Sequence, residues 1–170
     1  LHREIAHAQA GRGGHIRAKM NALVDPAIIA LLYEASQAGV QIELVVRGMC
    51  SLRPGLAGIS DNIAVVSVIG RFLEHSRIFW FGNGGEAELF IGSADWMPRN
   101  LDRRVEAVAP IEDPRLRYQL EQIFELYLHD TGAWHMDSEG HFSQQQHEGE
   151  AQLVQREMMR RWRGGLMPTN

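Results

Sequence analysis

Apolar residues along the chain recur with two different periods, and the alternation between them predicts an α/β fold. Ile28, Ile29, Leu31, Leu32 and Ala35 form a stripe at helical spacing. Asp25 and Pro26 open that helix, a side-chain acceptor followed by a ring tolerated in the first turn, and Gly39 closes it. Residues 40–46 form a β-rich apolar run, read as a buried strand. Helix, glycine turn and strand in succession is the unit of a layered α/β domain. Residues 63–69 predict a second strand. Residues 78–81 and 89–91 flank Asn83-Gly84-Gly85, a hairpin signal. Residues 105–109 predict a further strand. Asp113-Pro114 then starts a helix with Leu116, Leu120, Ile123, Phe124, Tyr127 and Leu128 on one face.

The ends are weaker. Residues 1–9 are helix-compatible through Ile5 and Ala8, and Gly11-Arg12-Gly13-Gly14 ends the pattern. That glycine cluster fits neither GxxxxGK[ST] nor GxGxxG after a strand, so it reads as a flexible turn. Residues 15–21 alternate as a strand would, which sets Arg17, Lys19 and Asn21 on one side. Residues 49–62 read as loop. Beyond Gly132 the chain turns polar: residues 138–149 read as a loop or extended arm, 152–162 as a helix with Leu153, Met158 and Trp162. Arg156, Arg160, Arg161 and Arg163 make that end basic, and 164–170 is a tail. The expected division is a domain over 1–132 and a polar arm plus helix over 133–170, packed on the same domain.

Composition narrows the function. With 170 residues and 45% hydrophobic content, the chain can bury one real core. Its net charge of −4 is unlike a polycation built for nucleic acid, although residues 1–20 carry four basic residues against one acid. Cys50 is the only cysteine, which excludes an internal disulfide and suits a reducing compartment. No apolar run reaches membrane-spanning length and no signal peptide opens the chain. It begins at Leu1 directly in helix-like sequence, and is expected to be a piece of a longer protein.

The stretch richest in chemistry is 70–79. It places His75 with Arg71, Glu74 and Arg77 between two apolar runs. A histidine at a strand edge between two arginines suits an anion, above all a phosphate. Guanidinium offers a planar fork of donors, and imidazole serves as nucleophile or proton carrier. Arg47 sits where a strand ends, a usual place for functional residues in α/β folds. His129, His135, His141 and His147 fall six residues apart in polar sequence. That spacing, without cysteine or a rigid scaffold, assigns no metal set. Cys50 reads as inert packing and Trp96 as a wall beside the candidate site.

His75-Ser76-Arg77 followed by Gly92-Ser93-Ala94-Asp95 resembles the phospholipase D superfamily, with its His-x-Lys, an Asp, and Gly-Ser-x-Asn. Arg77 stands for the Lys, Asp95 for the Asn, and the Asp is missing near Gly82. These departures argue against ordinary phosphodiester hydrolysis and leave phosphohistidine chemistry standing. A longer series, comprising residues 19–26, 46–48, 52–55, 70–78 and 93–106, resembles the C-terminal part of the bacterial polyphosphate kinase family, in order and with spacing intact from about Leu1 to His129.

That resemblance implies a mixed β-sheet flanked by helices, a phospholipase D-like domain. It implies part of an enzyme that reversibly moves the terminal phosphate of ATP onto polyphosphate. Two such domains face each other in the family. The first carries the histidine that is phosphorylated and the magnesium contacts, both outside this chain. His75 matches the partner histidine of the second domain, Arg47 a nucleotide-contacting arginine, and Arg104 and Glu106 further polar residues of the site. Chemically, Arg47, Arg77 and Arg104 suit charge clamps, His75 a general acid/base and Glu106 an orienting carboxylate. Lys19 and Asn21 are expected along the polyphosphate path. Ser93, Asp95 and Asn100 are expected to cap the turn after the hairpin or to join the site. Implied partners are ATP or ADP, polyphosphate and the rest of the same polypeptide, in a homo-oligomeric cytoplasmic enzyme without nucleic acid or an integral membrane segment, membrane association of the whole being left open. Two alternatives remain open: a dimeric phospholipase D-class phosphodiesterase, and a non-catalytic polyanion-binding module. The fragment alone is expected to be inactive.

Overall fold

A computed structural model of the chain describes residues 1–145 and 151–162. His147, Arg163 and the 164–170 tail lie outside these. The elements in order are α1 (His2–Gln9), β1 (His15–Met20), α2 (Pro26–Gln37), β2 (Gln41–Val46), β3 (Ile63–Ser67), β4 (Arg77–Phe81), β5 (Glu88–Gly92), α3 (Pro98–Arg103), β6 (Val108–Pro110), α4 (Pro114–Leu128), β7 (Trp134–Met136), β8 (Phe142–Gln144) and α5 (Val154–Trp162). The strands form one mixed sheet in the order β6-β5-β4-β1-β2-β3-β7-β8. β1, β2 and β3 run parallel, and all other neighbours are antiparallel.

Strand alternation sends side chains to two different cores. Ile16, Ala18 and Met20 of β1 and Ile42, Leu44 and Val46 of β2 are buried in one cluster with Leu32 and Ala35 of α2. On the other face, Val45 and Val66 pack with Tyr127 of α4 and Val154 of α5, and Ile78 and Leu89 pack with Phe124 of α4. Arg17 and Lys19 of β1 share that second face and meet Glu125 and Tyr127 of α4, so α4 covers polar positions as well as apolar ones.

Local chemistry sets the ends of these elements. Asp25 accepts from the Ile28 N–H at 2.9 Å, capping α2, a bond worth about 1 kcal/mol. Glu4, buried on α1, accepts from the backbone N–H of His15 at 3.0 Å and of Asn83 at 2.8 Å, tying α1 to β1 and to the turn between β4 and β5. That closeness requires Gly14: a Cβ there would lie 2.7 Å from the Glu4 carbonyl oxygen.

Several expectations need correction. The strand predicted at 105–109 is shorter and later, as β6, because only residues 108–110 pair with β5, at Val108↔Gly92, Ala109↔Ile91 and Pro110↔Phe90, and this edge strand is exposed throughout. The strand over 63–69 ends at Ser67, and Ile69 is exposed. The hairpin expected around Asn83-Gly84-Gly85 does form, β4 pairing antiparallel with β5, and its turn is a single 3-10 turn with positive φ at Asn83 and Gly84. Leu116 is exposed, so the buried face of α4 begins further along. α3 had no apolar stripe to reveal it. The polar segment expected as a loop contains β8, and β7 adds to the sheet through the antiparallel register Val66↔His135.

Candidate active site

The parallel strands end at one edge of the sheet, and β4 starts there because it runs antiparallel to β1. Lys19 lies near the end of β1 and Asn21 just past it, Arg47 follows β2, Arg77 opens β4, and Gly92 closes β5 opposite Arg77. The carboxyl edge of the parallel strands in an open α/β sheet is where ligands bind. Four chain-distant segments thus converge through topology alone.

Arg77 is the best anchored of the arginines. It donates to both carboxylate oxygens of Asp95, from Nε at 3.2 Å and Nη2 at 2.9 Å, and to the His75 carbonyl from Nη1 at 2.7 Å. Asp95 also accepts from the Asn21 N–H at 2.7 Å. Burial works to raise the Asp95 pKa, but Arg77 and that N–H outweigh it and hold the carboxyl below its ordinary range. Arg47 donates to Asn21 Oδ1 from Nε at 3.1 Å and Nη2 at 2.9 Å. The Gly48 N–H donates to the Asn21 carbonyl at 2.8 Å, an approach that leaves no room for a Cβ on residue 48. Among the described residues, Asn21 Nδ2 is buried without a partner. An unmet buried donor costs about 1–3 kcal/mol, and here it belongs to the amide whose oxygen carries Arg47.

Lys19 is almost fully buried. Its ammonium lies 3.0 Å from Glu74 Oε2, donates to Ser76 Oγ at 2.8 Å, and stands 4.7 Å from the centre of the Tyr127 ring. Burial lowers its pKa, Glu74 opposes this, and Arg47 and Arg77 lower it further, so the net direction is down. Burial likewise pushes Glu74 up, but Tyr127, Gln155 and Lys19 reverse the sign. The Tyr127 hydroxyl donates to Glu74, and burial together with that carboxylate pushes its pKa up. Cys50, whose thiol burial pushes up, is packing.

His75 itself is exposed, in a segment without regular secondary structure just before β4. The expected bracket of two arginines does not form. Arg71 lies over the Phe72 ring, with Cζ 5.7 Å from its centre, and Arg77 turns to Asp95. Glu106 sits outside any strand. It accepts from the Ser93 hydroxyl and from Asn100 Nδ2 at 2.6 Å, and the Ser93 bond leads the causes that hold its pKa low, with Arg104 and Arg77 adding to it. Ser93 and Asn100 therefore hold Glu106, while Asp95 holds Arg77. Arg104 is exposed nearby on the segment after α3.

Trp96 proves to be core: it stacks on Phe79 at 5.3 Å and its carbonyl accepts from Val24 and Asp25. No group of three or more His, Cys, Asp or Glu gathers to hold a metal among the described residues. The carboxylates at the edge, Glu74, Asp95 and Glu106, are each already bonded to neighbouring side chains. Gln155, which reasoning from sequence passed over, enters the site region from α5, donating to Glu74 Oε1 at 2.7 Å. No local spacing announced it.

Comparison with known proteins bears on this arrangement. A family model described as polyphosphate kinase C-terminal domain 2 matches residues 1–156. The polyphosphate kinase of Parasynechococcus marenigrum is 62% identical over 169 residues, covering 98% of this chain and 24% of that protein. That of Streptomyces coelicolor is 47% identical, covering 99% and 24%. This chain thus spans about a quarter of the length of the curated relatives it matches. The crystal structure of polyphosphate kinase from Porphyromonas gingivalis superposes with a TM-score of 0.87 at 42% identity, covering 94% of this chain and 25% of that one. Nuc from Salmonella typhimurium, described as a phospholipase D family member, shares the fold at a TM-score of 0.53 and 15% identity, covering 84% of this chain and 89% of that one.

Proposed function

The chain belongs to the family described as polyphosphate kinase C-terminal domain 2, and from that premise we propose that it completes the active site of a cytoplasmic polyphosphate kinase. The complete enzyme would reversibly transfer the terminal phosphate of ATP to polyphosphate, through a phosphohistidine on a preceding domain outside this chain. The observation that carries this reading is the gathering of Lys19, Arg47, His75 and Arg77 on the carboxyl edge of the sheet. Phosphoryl transfer between dense polyanions needs positioned charge more than bond-making side chains.

The roles follow from accessibility. His75 is exposed and can move a proton to or from a phosphate oxygen. Arg47, carried on Asn21 Oδ1, keeps donors for a nucleotide phosphate, and Asn21 Nδ2 is an unmet donor beside it. Arg77 fixes the His75 backbone and adds positive potential at the edge. Arg104 would meet phosphates from the far side, with Glu106 orienting the segment between them. Lys19, paired with Glu74, contributes less free charge to a polyphosphate path than its position in sequence suggests. Magnesium on the phosphates would be held by groups outside this chain.

Two observations weaken a phosphodiesterase reading: Arg77 is committed to Asp95, and no lysine stands in the His-x-Lys position. The test is polyphosphate synthesis by the complete enzyme carrying His75→Ala. Loss of most synthesis with ATP supports the proposal, and wild-type synthesis defeats it.

A further inference from the structure

The loop 70–76 carries His75 yet has no helix or strand of its own, and Phe72 and Leu73 are exposed. Something must hold its backbone. Gln155 does so from α5, more than 80 residues away in sequence. Its Oε1 accepts from the Phe72 N–H at 2.9 Å, and its Nε2 donates to the Phe72 carbonyl at 3.0 Å and to Glu74 Oε1 at 2.7 Å. The amide thus engages both polar groups of one peptide residue and the side chain of another. Glu74 continues the chain of contacts to Lys19 at 3.0 Å, and Lys19 reaches Ser76 Oγ at 2.8 Å. The residues on either side of His75 are therefore fixed, and the imidazole between them is left accessible. Gly70 makes room: a Cβ there would sit 2.4 Å from Gln155 Oε1.

We propose that Gln155 is a positioning residue, clasping the 70–76 loop so that His75 meets the transferring phosphate. This rests on the functional reading above. It makes α5 a working part of the site. Only a side chain that both donates and accepts can close the clasp. A carboxylate at 155 would face Glu74 with like charge, and an apolar side chain would fill the space without the bonds.

The test uses the complete polyphosphate kinase with Gln155→Met, which keeps bulk and removes the bonds. A misplaced catalytic group costs on the order of tenfold to a hundredfold, so kcat should fall by that factor while KM for ATP stays within about twofold. Amide exchange in a peptide covering 70–77 should rise about tenfold, with β1 to β5 unchanged. Gly70→Ala, which displaces the amide sterically, should reproduce both changes, and carries the test alone if Gln155→Met fails to fold. Unchanged kcat or unchanged exchange in the loop overturns the proposal. So does faster exchange spreading through the sheet together with a changed KM, the signature of simple helix anchoring. His75→Ala measured in parallel separates the failures. If it is inactive while Gln155→Met runs at full speed, only the positioning role falls. If it keeps wild-type synthesis, the functional reading falls.

Discussion

The sheet carries two His-x-Arg pairs, at opposite edges, and their fates differ. His15 and Arg17 lie within β1, where residues two apart share a face. Both reach one carboxylate on the next strand: His15 Nε2 stands 2.8 Å and Arg17 Nε 2.7 Å from Glu43 Oε2. Trp80 meets the His15 ring edge-on at 5.0 Å. His75 and Arg77 straddle the start of β4. There the backbone has not yet entered the pleat, Arg77 goes to Asp95, and the neighbouring carboxylate Glu74 is held away by Lys19, Tyr127 and Gln155. Identical residue types at identical spacing give a structural histidine in one place and an available one in the other. What separates them is whether a carboxylate is left within reach.

The comparison can be broken most severely by exchanging the roles in one assay. His75→Ala should lower synthesis by the complete enzyme on the order of a thousandfold, the middle of the range for general acid/base groups. His15→Ala should leave synthesis within about twofold, since its ring meets Glu43, Arg17 and Trp80 and none of the residues at the carboxyl edge.

The next largest effect concerns the arginines. Arg77→Ala leaves Asp95 buried without its cation and should cost about 3 kcal/mol of stability, read as the denaturation midpoint. Its pH dependence has a definite sign. Asp95 has a folded pKa below its ordinary 3.8, so its stabilising contribution is complete above that value and is lost as pH falls through the lower folded one. The stability gap between wild type and Asp95→Asn should therefore be constant at neutral pH and close below about pH 3.8. A gap that widens in acid would contradict this account of the site.

His15→Ala should itself cost about 1 kcal/mol, the net worth of a part-buried hydrogen bond plus ring packing, seen by chemical denaturation. The smallest effect is expected at Glu157, whose carboxyl Arg160 and Arg161 hold down at about 2. Both pairs are local ones within α5, at i,i+3 and i,i+4, and Glu157→Ala should move stability by no more than about 0.5 kcal/mol despite that shift.

The layers and strand faces of this molecule are legible in its sequence because period and burial agree. Ile42, Leu44 and Val46 alternate in β2 and are buried on one side. The polar stripe of Arg17, Lys19 and Asn21 could likewise be read from alternation. Boundaries fail where burial ends before hydrophobicity does, as at Ile69, and where edge pairing rather than burial sets the strand, as in β6. The site is legible only as a set of members. That Asp95 would hold Arg77, that Ser93 and Asn100 would hold Glu106, and that Arg71 would turn to Phe72 are facts of three-dimensional neighbourhood. Gln155 is the extreme case, because its partners lie 81 and 83 positions away. Residue chemistry singled out His75 and Arg47, family resemblance gave them roles, and both were silent on what arranges them.

The distance from Phe72 to Gln155 also sets an order in time. A ribosome making this chain completes β1 to β5 and α4 before residue 155 is added. At about 10 residues per second, the loop bearing His75 waits roughly 8 s for its clasp. The scaffold can therefore be present while the histidine is still unaimed. On the positioning role proposed for Gln155, a polypeptide that stalls just short of the last described helix would look folded and work roughly tenfold to a hundredfold slower.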